Sequence, residues 1–126
     1  MHGWMLYRGE PAGKVMSRQF RFTIGDGEGP QYTDSPVNHP DHDWHFVVAV
    51  KDGLETRLYV DGEQVGQRAL RNPLISESGE SASIGRQYSS HVKGVNAFAR
   101  GKIDEVKIWN YVLSDEAIQQ QYLEGR

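Results

Sequence analysis

The chain has no cysteine. That absence excludes disulfides, thiolate metal sites and a cysteine nucleophile. No apolar run approaches the roughly 20 residues that a membrane-spanning helix requires, so no membrane insertion is expected. The formal net charge is only −3, and no Lys/Arg stripe forms along the chain. Nucleic acid is therefore not an expected partner. The first residues, "MHGWMLYRGEP", have no basic segment followed by an apolar core, so no secretory signal is legible there. There is no G-x-S-x-G elbow. The glycine-rich "GDGEG" lacks the following helix that a nucleotide-binding loop needs. No internal repeat and no low-complexity tract is present.

What is present is an ordinary globular composition: 126 residues, 37% hydrophobic and 25% charged, enough for one modest domain. Glycine is frequent, at 14 residues, and it often follows aspartate: "GDGEG" at 25–29, "KDG" at 51–53, "VDG" at 60–62. Asp-Gly between apolar alternations predicts tight hairpins, because both turn positions tolerate positive φ. The segments between them read as strands. In "RQFRFTIG", Phe20, Phe22 and Ile24 alternate with Arg21 and Thr23, which predicts a half-buried strand. "HFVVAV" (45–50) is nearly continuous apolar and predicts a central strand covered on both sides. "TRLYVDGEQVG" predicts a hairpin closing at Asp61-Gly62, with Leu58 and Val60 inward. "SASIG" (81–85) reads as a short strand and "GKIDEVKIW" (101–109) as a long one. Residues 25–43, with three prolines, read as a polar loop, and residues 86–100 as a second loop. Six or seven closely spaced strands predict an all-β sandwich or barrel.

One helix closes the chain. Ser114 is placed to cap it, and Asp115 and Glu116 sit where the helix dipole favours negative charge. Ile118 and Tyr122 share a face, and Gly125 is the expected stop.

Three histidines, His39, His42 and His45, stand in "NHPDHDWHFVVAV" with Asp41 and Asp43 between them. Imidazoles at such spacing can ligate zinc or another transition metal. Pro40 and the surrounding polar residues favour the plainer reading, a solvated loop leading into a strand. Trp44 and Trp109 read as core or near-core residues; Trp4 is not assigned.

Three blocks in order carry a family resemblance: "DWHFVVAVKDGLETRLYVDGEQV", then "ASIGR", then "GKIDEVKIWNYVLSDEAI". They resemble a laminin-G-like module of the concanavalin A-like lectin/glucanase superfamily, strongly from Trp44 to about Leu123. "MLYRGEP…RFTIGDGEG" is more weakly similar to the family's early strands. The resemblance implies an all-β jelly-roll sandwich of two antiparallel sheets with a short C-terminal helix. Residues 1–126 would form a single domain lacking the family's first strands. An open sheet edge would follow, and with it self-association or pairing with a partner strand.

The resemblance also implies a function. A non-catalytic module would recognise carbohydrate or an extracellular protein through its rim loops, outside the cell or at its surface. An assembly role through the open edge is the alternative, and a glycoside hydrolase a remote one. The glucanase branch uses closely spaced carboxylates on one strand, and a retaining glycosidase needs its pair about 5 Å apart. No segment has that pattern, so no catalytic residue is assigned and no enzyme is expected. Arg86, Tyr88 and His91 in one loop and Tyr32 in the other are the candidate ligand-binding residues: rings stack on sugars, and Arg and His donate to hydroxyls. For Tyr88, packing over an apolar edge is an equal reading. Alternation puts Asp104 on the same face as Val106 and Ile108, where a carboxylate needs a partner. The superfamily often places a structural calcium at this position. Asp104 is thus either a calcium ligand or a hydrogen-bonded structural residue.

Overall fold

The architecture is that of a computed structural model, which describes residues 2–9, 19–36, 42–77, 79, 82–87, 97–99 and 101–125. The chain groups into two units, Met1–Ser78 with Tyr111–Arg126, and Gly79–Asn110.

In the first unit, turn chemistry builds two three-stranded antiparallel sheets. Strands β1 (His2–Arg8), β2 (Phe20–Asp26) and β3 (Pro30–Asp34) pair in the order β1-β2-β3; β4 (Val47–Asp52), β5 (Glu55–Val60) and β6 (Glu63–Ala69) pair as β4-β5-β6. Asp61 and Gly62 take φ of 53° and 85° between β5 and β6, the positive pair that matches the twist of a tight hairpin. One turn earlier the register differs from the simplest Asp-Gly reading. Asp52 stays in the ladder opposite Glu55, and Gly53, at φ 57°, shares the turn with Leu54.

The sheets face one another. Phe22 and Ile24 of β2 meet Leu58 of β5 and Leu70, with Phe20, Val47, Ala49, Val65 and Ile75 around them. Each large apolar side chain fully removed from water contributes about 1.5–3 kcal/mol. At the β3–β6 side the sheets come so close that a Cβ on Gly66 would sit 2.6 Å from the Asp34 carbonyl oxygen. The Thr33 and Thr56 hydroxyls bond across the same junction at 2.6 Å.

Strand β3 corrects the expectation of a long loop over 25–43. Its inward residues are Gln31, Thr33 and Ser35, all buried and all polar. Hydrogen bonds take the place of apolar contact. Gln31 accepts from the Arg71 N–H at 2.9 Å and donates to Asp26 at 3.2 Å, and the Phe20 N–H donates to Ser35 Oγ at 3.0 Å. Pro30 takes the first position, where no ladder donor is lost.

Two strand roles are also corrected. β2 is central and buried on both faces, Thr23 included, because β1 and β3 flank it with large side chains. β4, expected to be central, has only β5 as a strand neighbour among the described residues. Its continuous apolar run serves two coverings rather than two neighbours. Val47 and Ala49 face the core; Val48 and Val50 lie on the opposite face with Phe46 and Tyr59.

Helix α1 (Asp115–Glu124) meets that opposite face. The Ser114 side chain accepts the Ala117 N–H at 3.1 Å, Asp115 and Glu116 occupy the first turn, and the Gly125 N–H closes on Gln121. Ile118 is fully buried. Tyr122 stacks on Phe46 and lies so near the turn that a Cβ on Gly62 would meet its ring at 2.9 Å.

In the second unit, β7 (Arg86–Gln87) pairs with β8 (Ala97–Phe98). The short strand expected over 81–85 is thus displaced to 86–87. The long strand expected over 101–109 is not formed: residues 102–109 join no ladder among the described residues. Glu105 takes φ of 52°, which breaks the alternation, and Ile103, Val106 and Ile108 are exposed. A strand needs a second strand to pair its N–H and C=O groups in a ladder, and none of the described residues supplies one.

Candidate functional site

The face of the first sheet turned away from the core is polar and aromatic. Alternation puts Phe20, Phe22 and Ile24 inward and so turns Arg21 and Thr23 outward. Register then fixes their neighbours: Arg21 lies between Tyr7 and Asp34, and Thr23 between Met5 and Tyr32. Arg21 donates from Nε to Asp34 Oδ1 at 2.5 Å and from Nη2 to Oδ2 at 2.8 Å, a two-pronged pair. Its guanidinium lies over the Tyr32 ring, 4.5 Å from the centroid. The neighbouring Tyr7 hydroxyl, which accepts from Thr23 at 3.5 Å, also favours the charged form of Arg21. Asp34, aided by Tyr7, raises the Arg21 pKa above the ordinary arginine value against the effect of burial. The guanidinium is therefore permanently charged, and its charge is matched by an adjacent carboxylate. The result is a plane of donors pinned between two tyrosines, with no net charge.

A second network holds the hairpin end beside it. Asp26 Oδ1 accepts the N–H groups of Glu28 and Gly29, and Arg71 reaches both carboxylate oxygens at 3.0 Å. Burial opposes ionisation of Asp26, but these donors outweigh it and lower its pKa. Every oxygen here already has a partner, so the network is a brace.

Of the candidate ligand-binding residues, Tyr32 belongs to this face, though on a strand rather than in a loop. Arg86 lies in β7, with its side chain outside the described residues; Tyr88 and His91 lie outside them altogether. Tyr7, Arg21, Thr23 and Asp34 were not singled out from the sequence. Arg21 and Thr23 carried a signal in their outward parity. Their partners did not, because β3 hides its strand character behind a polar buried face.

The histidines do not converge among the described residues. His42 is exposed, His45 bonds Asp61 through Nδ1 at 2.8 Å, and His39 lies outside the described residues. Asp61 also accepts the Phe46 N–H at 3.0 Å, so this pair pins the start of β4 to the β5–β6 turn. Trp44, expected near the core, is 64% exposed; Trp109 is half-buried. Asp104 does not share a buried face with Val106 and Ile108, since all three are exposed; its carboxylate accepts the Glu105 N–H at 2.8 Å. Among the described residues no group of three or more His, Asp or Glu could hold a metal ion.

Comparison with known proteins now fits this geometry. Residues 3–119 match the laminin G type 3 family model, described as the concanavalin A-like lectin/glucanases superfamily. The chain belongs to that family. The laminin-G-like sandwich accounts for the two antiparallel sheets and the short closing helix. A crystal structure of an S-layer domain-containing protein (residues 221–444) from Clostridium thermocellum has a similar fold, with a TM-score of 0.53 and 22% identity. The match covers 83% of this chain and 52% of that one, so the chain spans about half its length. Among the described residues, no helix is long and apolar enough to cross a membrane.

Proposed function

We propose that this laminin-G-like chain is a non-catalytic binding module, and that its ligand is an uncharged carbohydrate held on the outer face of the first sheet. One observation carries the reading: the Arg21 guanidinium, clamped by Asp34 and laid over Tyr32, with Tyr7 opposite it on the flanking strand. Carbohydrates present hydroxyls to donors in a fixed plane and C–H faces to aromatic rings. Ligand sites of this kind combine flat aromatic surface with a few placed polar groups. Because Asp34 cancels the charge of Arg21, the face favours hydroxyls over carboxylates or sulfates. Family membership supports a binding role in general, and with the S-layer neighbour it supports a place outside the cell or at its surface.

The test is a screen of immobilised neutral and acidic glycans with the intact chain and with Tyr32→Ala. Retention of a neutral glycan by the intact chain, lost in the variant, is the expected result. Silence across all neutral glycans at millimolar ligand, or preference for acidic ones, overturns the reading.

Among the described residues β4 has a strand on one side only, which favours a second reading, assembly through strand addition. Unpaired ladder groups on a β-rich edge template another strand. Light scattering decides it: a concentration-independent monomer removes assembly and leaves the carbohydrate reading untouched.

A further inference from the structure

The chain holds three Asp-Gly pairs, Asp26-Gly27, Asp52-Gly53 and Asp61-Gly62, all in the first unit. Each carries the same latent reaction. The main-chain nitrogen of a glycine can attack the side-chain carboxyl carbon of the aspartate before it, because no Cβ shields that nitrogen. An N–C bond forms, a C–O bond breaks and one water leaves, which gives a cyclic imide. Water then adds back at either carbonyl. Opening at the side-chain carbonyl restores aspartate. Opening at the main-chain carbonyl leaves the chain running through Cγ, as isoaspartate with a free α-carboxylate. The water lost is regained, and nothing is oxidised or reduced.

The structure guards the three pairs unequally. The Asp26 side chain is 1% exposed, and its carboxylate accepts from the Glu28 and Gly29 N–H groups and from Arg71. Asp61 accepts the Phe46 N–H on one oxygen and bonds His45 through the other, and the Tyr122 ring lies against Gly62. Neither carboxylate can swing onto the next nitrogen without breaking those bonds. Asp52 makes no such bond among the described residues. Its side chain is 53% exposed, and its ion pair with Arg57 spans 3.6 Å, beyond hydrogen-bond distance. Gly53 lies in the turn, outside the β4–β5 ladder, and nothing stands within 4 Å of where a Cβ would be.

We propose that Asp52-Gly53 is the site at which the folded chain converts aspartate to isoaspartate. This is independent of the carbohydrate reading. The product has one more main-chain carbon between Asp52 and Glu55, which are paired across a two-residue turn at the entry to β5. Its α-carboxylate stands free on an exposed turn. A carboxyl methyltransferase with a sulfonium methyl donor acts on such a group: the methyl passes to a carboxylate oxygen, and methanol leaves as the imide closes again.

The experiment ages the full chain at neutral pH, folded in buffer and unfolded in guanidinium chloride. Isoaspartate is then located by peptide mapping with electron-transfer fragmentation and by enzymatic methyl labelling. In denaturant the three pairs are expected to convert at similar rates, since all are Asp-Gly. In the folded chain, conversion at Asp52 is expected to exceed that at Asp26 or Asp61 by about tenfold or more, the factor that one charge-assisted hydrogen bond sets on local opening. Asp52→Glu, whose longer side chain closes the ring poorly, is expected to remove the signal and keep the fold. Arg71→Ala, checked by thermal melt, is expected to raise conversion at Asp26 and leave Asp52 unchanged. Equal conversion at the three pairs in the folded chain, a maximum at Asp26 or Asp61, or no isoaspartate at all in the folded chain overturns the proposal.

Discussion

The two sheets carry the same three kinds of residue on their outer faces and use them differently. On the first sheet, Arg21, Tyr32 and Asp34 form a trio across two strands. On the second, Arg57 and Tyr59 stand on β5 and the third member, Asp115, comes from the first turn of the helix. There the Tyr59 hydroxyl donates to Asp115, and Tyr59 is 1% exposed. Tyr32, by contrast, is half-buried. The residue types are alike, but Arg57 pairs with Asp52 and Glu55 at 3.6 Å rather than with Asp115, and the helix covers Tyr59. Ser114 caps a helix that brings Asp115 onto Tyr59 and leaves Arg57 with a buried Nε lacking a partner. Burial converts the second trio into a clamp. The first stays a surface that a ligand can use.

The largest expected effect comes from loosening the cover. Ile118 is fully buried on the helix. Ile118→Ala removes buried methyl groups and leaves a cavity, with an expected loss of about 2–5 kcal/mol in urea unfolding. If the helix is the cover, the same variant opens Tyr59 to solvent, measurable as increased quenching of tyrosine fluorescence. A loss near zero would mean that the helix is not what closes this face.

Tyr59→Phe attacks the clamp itself. It deletes a donor to the Asp115 carboxylate, a charge-assisted bond, at an expected cost of about 1–3 kcal/mol. It also changes the alkaline limb. Burial, reinforced by Asp115, raises the Tyr59 pKa above its ordinary 10.0. The folded state thus holds this proton more tightly than the unfolded state does. The contribution is complete below the ordinary value and is lost as pH rises through the raised one. Stability of the native chain should therefore fall above pH 10.0, and Tyr59→Phe should flatten that fall. An unchanged alkaline slope in the variant would assign it to another group.

The contrast was only partly legible in the sequence, and for physical reasons. Asp61-Gly62 announced its hairpin because positive φ is cheap there, and the cap at Ser114 announced the helix. The β5 alternation was legible for the inward residues Leu58 and Val60. It said nothing of Tyr59, which is buried on the other face only because a helix more than fifty residues later lies over it. Strand β3 was hidden because Gln31, Thr33 and Ser35 bury hydrogen bonds where a hydropathy pattern looks for carbon. Segment 101–109 erred in the opposite sense. Ile103, Val106 and Ile108 have the composition of a strand, but strand pairing is a property of two segments, and composition reports only one. Local turns are legible because both partners are close in sequence. Faces are assembled from distant segments, and the candidate site is a face.

Asp34→Asn is the smaller counterpart on the open trio. The Arg21–Asp34 pair is partly solvated, with side chains 17% and 34% exposed, so the pair is screened and the expected cost is about 1 kcal/mol or less. This is below the loss expected for Tyr59→Phe, although a full charge is removed rather than a hydroxyl. The inequality is the sharpest form of the comparison, since it sets burial against charge. Binding should move the other way. An uncompensated Arg21 gives the face a net positive charge, and its guanidinium is freed to turn off the Tyr32 ring. Neutral oligosaccharide should bind more weakly and acidic oligosaccharide more tightly, with the gain fading at high salt as screening sets in. Urea unfolding and calorimetry with neutral and uronate sugars measure both halves. A stability loss larger than that of Tyr59→Phe would make the first trio a clamp like the second, and the outer face of the first sheet a structural surface.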